Sequence, residues 1–198
     1  MNETIVIYES KYGFTKQYAN WISQALSCPV LERRQVHSQD LEQADVILYG
    51  GGLYAGGVSG IKLITQNWEL LSHKKVVLFT CGLADPKNPV NVKHIHESLS
   101  KVLSPEIISQ IQIFHFQGGM DYSRLNFVHR SMMAMLRKML LKKKEDDLTS
   151  EDRELLATYG KAVDFTDPGS IRPLLDYLTS DAFSDPAAES SSISSKSL

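Results

Sequence analysis

The sequence predicts an α/β fold, a parallel sheet with helices on both faces. Two observations carry that expectation. Short apolar, β-branched runs recur at residues 4–8, 46–49, 76–80 and 111–116, with a weaker run at 30–34. The first three strong runs are nearly continuous rather than alternating, as strands covered on both faces are. Between the runs lie stretches with the periodicity of amphipathic helices, and strand–helix alternation of this kind builds a parallel sheet.

After the first strand, Tyr18, Trp21, Ile22, Ala25 and Leu26 fall at the i, i+3, i+4, i+7, i+8 spacing of one buried helix face. Comparable patterns cover about 58–72 and 91–102. Ser150, followed by Arg153 and Glu154, opens another over 150–164, and residues 168–178 make a short last one. Residues 118–148 sit between the fifth strand and the 150–164 helix and are too long for a simple loop, so they read as an insertion. Residues 181–198 carry seven serines and little to bury, which predicts a disordered tail after a single domain over 1–180.

At 198 residues the chain has the length of one domain with a full core. Hydrophobic residues make up 42% and charged residues 22%, an ordinary globular balance. A net charge of −2 gives no field that would recruit nucleic acid. Cys28 and Cys81 are the only cysteines, too few for a disulfide framework or a zinc quartet. His94 and His96, two apart on a helix, diverge in direction and argue against a metal site. No apolar run approaches the roughly 20 residues of a membrane span. The start lacks the basic-then-apolar layout of a signal peptide, so the expected compartment is the cytoplasm.

Chemistry is expected at the strand ends, because ligands of open parallel sheets bind beyond the carboxyl ends of the strands. The first strand runs into Ser10, Lys11, Tyr12, Gly13, Phe14 and Thr15. The third runs into Gly50, Gly51, Gly52, Leu53, Tyr54, Ala55, Gly56 and Gly57. The fourth meets Cys81, Gly82, Leu83, Ala84 and Asp85, and the fifth meets Gly118 and Gly119. A rim with few bulky side chains lets a flat ligand approach main-chain N–H groups. The turn over 10–15 adds N–H groups at a helix start, two hydroxyls and a glycine for the bend, which together suit a phosphate. For that turn alone, Ser10 and Thr15 as plain helix caps weigh about equally. The glycine cluster after the third strand tips the balance toward phosphate.

Three rival phosphate patterns fail on specific residues. G-x-x-x-x-G-K-[ST] is absent. Gly50, Gly52 and Ala55 satisfy G-x-G-x-x-A, but after the third strand and without the ribose-binding acid at the end of the next. A phosphorylated receiver domain needs an aspartate where Gly50 stands.

On these residues the sequence resembles the flavodoxin family, over roughly residues 3–165. Within it the chain looks most like the branch containing the bacterial menaquinone-dependent protoporphyrinogen dehydrogenases. The family's S/T-x-x-G-x-T phosphate loop matches Ser10, Gly13 and Thr15, and the YAG stretch of its third-strand loop matches Tyr54, Ala55 and Gly56. The stretch DYSRLNFVHRSMMAMLRKML is similar to the branch's insertion, a Tyr-x-Arg followed by a Met-rich basic helix. The resemblance implies a flavodoxin-like three-layer sandwich, with a five-stranded sheet in the order 2-1-3-4-5, a helical insertion after strand 5, and noncovalent FMN. Residues 10–15 would then hold the phosphate. Gly51, Gly52, Leu53, Tyr54, Ala55 and Gly56, with Cys81, Gly82, Leu83 and Asp85, would hold the ring, and Tyr54 is the candidate for stacking on it.

The activity so implied is FMN-based electron transfer or oxidoreduction with an unidentified redox partner. Quinone-linked porphyrinogen oxidation is the narrower alternative, and a non-catalytic binding module of the same fold is another. Electron-carrying flavodoxins are strongly acidic and place an aromatic after the fourth strand, whereas this chain is near neutral and offers Cys81, Leu83 and Ala84 there. The outer face of the flavin is therefore expected to be open to a substrate or covered by the insertion. Asp85 is expected to point to solvent, since a carboxylate beside the ring would disfavour the reduced anion. Cys81 is read as a small packing residue rather than a redox thiol.

Residues 124–144 hold seven basic side chains and no acidic one, and every methionine but the first lies within 120–139. On a helix, Phe127, Met132, Met135 and Met139 give a broad apolar face ending in Lys142, Lys143 and Lys144. Packing of that face against the domain or a second subunit in a homodimer is favoured over contact with a membrane surface or an anionic partner. His129 has no partner at metal-ligand spacing and is given no role.

Overall fold

The computed structural model describes residues 3–54 and 57–180, so Ala55, Gly56 and the serine-rich tail lie outside the described residues. Strand β1 (Thr4–Glu9) leads into helix α1 (Phe14–Leu26), then β2 (Val30–Glu32), α2 (Ser38–Gln43), β3 (Val46–Tyr54) and a two-residue β4 (Gly57–Val58). Helices α3 (Lys62–Gln66) and α4 (Trp68–Leu71) follow, then β5 (Lys75–Gly82), α5 (Pro89–Leu99), α6 (Pro105–Gln110) and β6 (Gln112–Gln117). Next come β7 (Gly119–Asp121), α7 (Phe127–Leu140), α8 (Ser150–Thr158), β8 (Ala162–Asp164) and α9 (Arg172–Thr179). The main sheet is ordered β2-β1-β3-β5-β6 with every neighbour parallel, and β4 pairs antiparallel with the end of β3. The five parallel strands keep the expected order, and the added β4 makes the sheet six-stranded.

Side chains alternate across the sheet. Ile5, Ile7, Ile47, Tyr49, Val76 and Leu78 face the layer formed by α2 to α6. Val6, Tyr8, Leu48, Val77, Phe79 and Cys81 face α1 and α9. Burial on both faces explains why these strands read as unbroken apolar runs. Each such side chain taken out of water stabilises the fold by about 1.5–3 kcal/mol. On α1 the covered residues are Thr15, Tyr18, Ala19, Ile22 and Ser23, while Ala25 is exposed, so the buried face is rotated from the expected one.

Three local expectations are corrected. The helix expected over 58–72 is two short helices broken at Asn67, whose side-chain amide donates to the Leu63 carbonyl at 2.8 Å and competes with the helical ladder. The expected glycine loop after the third strand is strand: β3 continues through Gly50, Gly51 and Gly52, which pair with β5 opposite Phe79, Thr80 and Cys81. A Cβ on Gly50 would lie 2.2 Å from the Phe79 ring, and one on Gly51 2.3 Å from Val58. Neighbouring side chains cross the strand there, which is why those two residues have none of their own. Finally, the excursion after β6 runs past residue 148. β7 pairs antiparallel with β8, so α8 belongs to the excursion, and the last residues of the expected 150–164 helix form a strand.

The excursion is pinned where it leaves and returns. The Gly118 N–H donates to the Gly82 carbonyl at 2.6 Å, and the Phe165 N–H donates to the Gly118 carbonyl at 3.0 Å. Helix α7 is capped by Asn126, whose side-chain oxygen accepts the His129 N–H at 2.8 Å. It turns His129, Met133, Leu136 and Leu140 toward the body, at i, i+4, i+7 and i+11. Phe127 remains 86% exposed and Met135 61%, so packing against the body does not cover the methionine face as a whole. Among the described residues no helix is long and apolar enough to cross a membrane.

Candidate functional site

The turn between β1 and α1 is built around Gly13, which has φ of 100° and takes the N-cap position. Its N–H donates to the Ser10 hydroxyl at 3.0 Å, which closes the turn. No side chain caps α1, so the first N–H groups of the helix lack helical partners. Ser10 and Thr15 are therefore not helix caps. Thr15 is 2% exposed, and its side chain opposes part of the rise that burial gives the Cys81 thiol. The backbone of Lys11 and Tyr12 lies beside the hydroxyl of Tyr54. A left-handed glycine leading into an uncapped helix start gives the kind of backbone concavity that binds anions. Burial, with Cys81 adding to it, pushes the Tyr54 hydroxyl up to about 12, and the backbone of Lys11 and Tyr12 opposes that rise.

Helix α7 reaches this same turn through His129. Its Nδ1 lies 2.6 Å from the Tyr12 hydroxyl and its Nε2 3.1 Å from Lys11 Nζ. The imidazole stacks on Tyr54 at 5.7 Å between ring centres, and Tyr12 meets the Tyr54 ring edge-on at 5.8 Å. Burial, followed by the Lys11 ammonium, holds the His129 imidazole below its ordinary pKa, so it is neutral at pH 7.

A cavity of about 350 Å³ opens from the turn across the carboxyl ends of β3 and β5. That volume falls within the range of small-molecule sites, about 300–1,000 Å³. Thr15, Leu53, Cys81, Gly82 and Leu83 line it from the sheet side, with Tyr12, Phe14 and Tyr54 beside the turn. Leu125, His129, Met132 and Met133 from the insertion close it above, joined by Leu155 of α8. The rim is thus walled by aromatic and aliphatic side chains rather than bare, which corrects the expectation of an edge with few bulky groups. The insertion covers the cleft, one of the two arrangements expected for it.

The remaining candidates are placed as follows. Gly51 and Gly52 lie in β3 behind the cavity wall. Asp85 folds back, its carboxylate accepting the Lys87 N–H at 2.9 Å and its carbonyl accepting from the Asn91 amide at 3.0 Å, and it does not line the cavity. Cys81 is 5% exposed, and burial pushes its thiol up to about 12, so it stays protonated at neutral pH. Ala55 and Gly56 lie outside the described residues. His94 lines the cavity while His96 turns to His115, their Nε2 atoms 3.3 Å apart. Among the described residues no three His, Cys, Asp or Glu side chains gather as a metal site would need. The residues that the sequence reading did not assign to the site are those of the roof, above all His129, which it gave no role. Its signal was the i, i+4, i+7, i+11 stripe with Met133, Leu136 and Leu140, which the conspicuous methionine pattern obscured.

A flavodoxin domain model matches residues 5–148. No curated protein matches the chain. Among solved structures, a flavoprotein in complex with FMN from Lactobacillus acidophilus is 15% identical, with a TM-score of 0.43, covering 59% of this chain and 93% of its own. Oxidised flavodoxin 1 from Bacillus cereus is 19% identical, with a TM-score of 0.36, covering 58% of this chain and 83% of its own. A WrbA-like flavodoxin from Agrobacterium tumefaciens is 18% identical, with a TM-score of 0.38, covering 51% and 73%. With the matched span taking in the main sheet, the turn after β1 and helix α7, the chain belongs to the flavodoxin domain family.

Proposed function

We propose that this protein binds FMN and works as a flavodoxin-type electron-transfer protein or oxidoreductase. One observation carries the reading: a roofed cavity at the strand ends begins at a turn where left-handed Gly13 leads into a helix start that no side chain caps. The residues fit the cofactor. The turn over 10–13 and the start of α1 would hold the phosphate through N–H groups and the helix dipole. Leu53, Tyr54, Leu83 and Met133 would hold the flat ring, with the uncharged Cys81 thiol beneath it. Bound FMN supplies the electron chemistry. The chain's own part is to orient the ring and exclude water from one side of it.

Purified protein loaded with FMN is expected to show flavin absorption and to gain about 2.7 kcal/mol of stability at 100 times the dissociation constant. Colourless protein whose melting is unmoved by saturating FMN overturns the reading.

A narrower reading, a quinone-linked protoporphyrinogen dehydrogenase-like enzyme, is favoured by the apolar roof of Leu125, Met132 and Met133. Flavin-loaded protein would then oxidise a porphyrinogen with a quinone acceptor, and replacing 119–164 by a short turn would abolish this even at FMN concentrations that saturate the shortened protein. Activity that survives the replacement sinks the roof's role. Peripheral membrane contact through residues 124–144 goes with this reading, since Phe127, Met135 and Met139 stand exposed among the basic residues. Flotation with anionic vesicles tests it, and protein that stays in solution refutes it. A non-catalytic module would instead bind FMN without reversible reduction by dithionite.

A further inference from the structure

We propose that His129 is a phosphate-recognition residue, brought onto the phosphate turn by the insertion so that the roof reads the phosphorylated end of the ligand. The inference rests on the FMN reading for the ligand's identity and adds to it a residue from outside the sheet. Its basis is a cluster of donors without a carboxylate. The His129 imidazole lies between Lys11 Nζ, 3.1 Å from its Nε2, and the Tyr12 hydroxyl, 2.6 Å from its Nδ1. The Tyr54 ring lies against both, stacked on His129 and edge-on to Tyr12. Among the described residues, neither Lys11 nor His129 pairs with an acidic side chain.

An ammonium has only protons to give, so Lys11 donates to Nε2 and the imidazole carries its proton on Nδ1, donating to the Tyr12 oxygen. Two basic groups in contact with nothing negative between them repel once both are charged, and an anion settling there reverses the sign of the interaction. A phosphate dianion would let Nε2 take a proton from solvent and become a donor beside Lys11. The titratable groups facing it are Lys11 and Tyr12 from the turn and Tyr54 from β3. A neutral ligand of the same ring shape gains nothing from this cluster. His129 therefore sets a preference for FMN over riboflavin, and it ties closure of the roof to the phosphate.

The test measures FMN and riboflavin dissociation constants for the full chain by flavin fluorescence. His129→Phe keeps a ring against Tyr54 and removes both nitrogens. It is expected to weaken FMN about tenfold while riboflavin changes by no more than about twofold, as loss of a charge-assisted hydrogen bond would. His129→Lys, which restores a cation, is expected to recover most of the FMN preference. Inorganic phosphate should also shift the His129 imidazole resonances saturably in the wild-type chain. Equal loss of both flavins in His129→Phe, or no loss of either, overturns the proposal and leaves His129 as roof packing. So does an imidazole resonance that phosphate fails to move. Folded wild-type protein that binds neither flavin, yet shows the phosphate-dependent shift, sinks the FMN reading and leaves this site standing.

Discussion

The sheet and the roof over its cavity are held by opposite means. In the sheet, Val6, Ile7, Ile47, Leu48, Val77 and Phe79 are all 0% exposed. On α7 only Leu140 is buried, and Phe127 and Met135 face solvent. Polar and ring contacts position the roof instead. His129 bonds Tyr12 in the turn after β1, the Arg137 guanidinium lies 4.9 Å from the Tyr159 ring centre, and Lys143 pairs with Asp152 at 2.8 Å. The difference teaches that the body is specified by volume and the cover by a few directional bonds. Substitutions should therefore act through packing in one region and through single partners in the other.

The largest effect is expected at Phe79, whose ring fills the space left by Gly50. Phe79→Ala should lower stability by about 3–5 kcal/mol in denaturant titration, and a loss near zero would break the contrast between sheet and roof. Gly50→Ala forces a Cβ against the same ring and should cost about 1–3 kcal/mol, with part of that recovered when Phe79→Leu is added.

A pH effect comes from His115, which meets the Thr80 hydroxyl at 2.7 Å and the His96 ring. Burial, with His96 adding to it, pulls its pKa from 6.5 down to about 4, so between those values the unfolded chain binds the extra proton. This contribution to stability is complete above the unfolded value and is lost as the pH falls toward the folded one. His115→Gln should flatten the slope of stability across that window, and an unchanged slope would assign it to other groups.

Tyr12→Phe removes the bond to His129 and should weaken attachment of the roof by about 1 kcal/mol, read as faster amide exchange across α7 with β3 unchanged. Smallest of all, Met135→Ser should shift stability by no more than about 0.5 kcal/mol. A larger loss would show that the outer face of α7 is packed in solution.

Legibility in the sequence follows the same division. The parallel strands were readable because burial on both faces leaves unbroken apolar runs. Helices α2 and α6 were not, because six residues are too few to display a helical period. Glycine was the misleading signal. From sequence, a glycine that admits a ligand and one that admits a neighbour's ring look alike, and Gly50 and Gly51 proved to be of the second kind. In the turn after β1, Gly13 was readable because its left-handed backbone is a local requirement. The stripe with Met133, Leu136 and Leu140 could mark the face of His129, but its partner, 117 residues away along the chain, was hidden.

The three-residue pairing of β7 with β8 brings Gly119 beside Asp164, after a long detour through α7 and α8. Closing so wide a loop for so few ladder bonds gives little return until the sheet already holds both ends in place. The order of assembly follows: the body condenses first, and the cover is laid down last. In native-state exchange the cover should come away as a unit of its own, well below the free energy at which β3 opens. The molecule can thus admit and release a ligand by partial unfolding of one appendage.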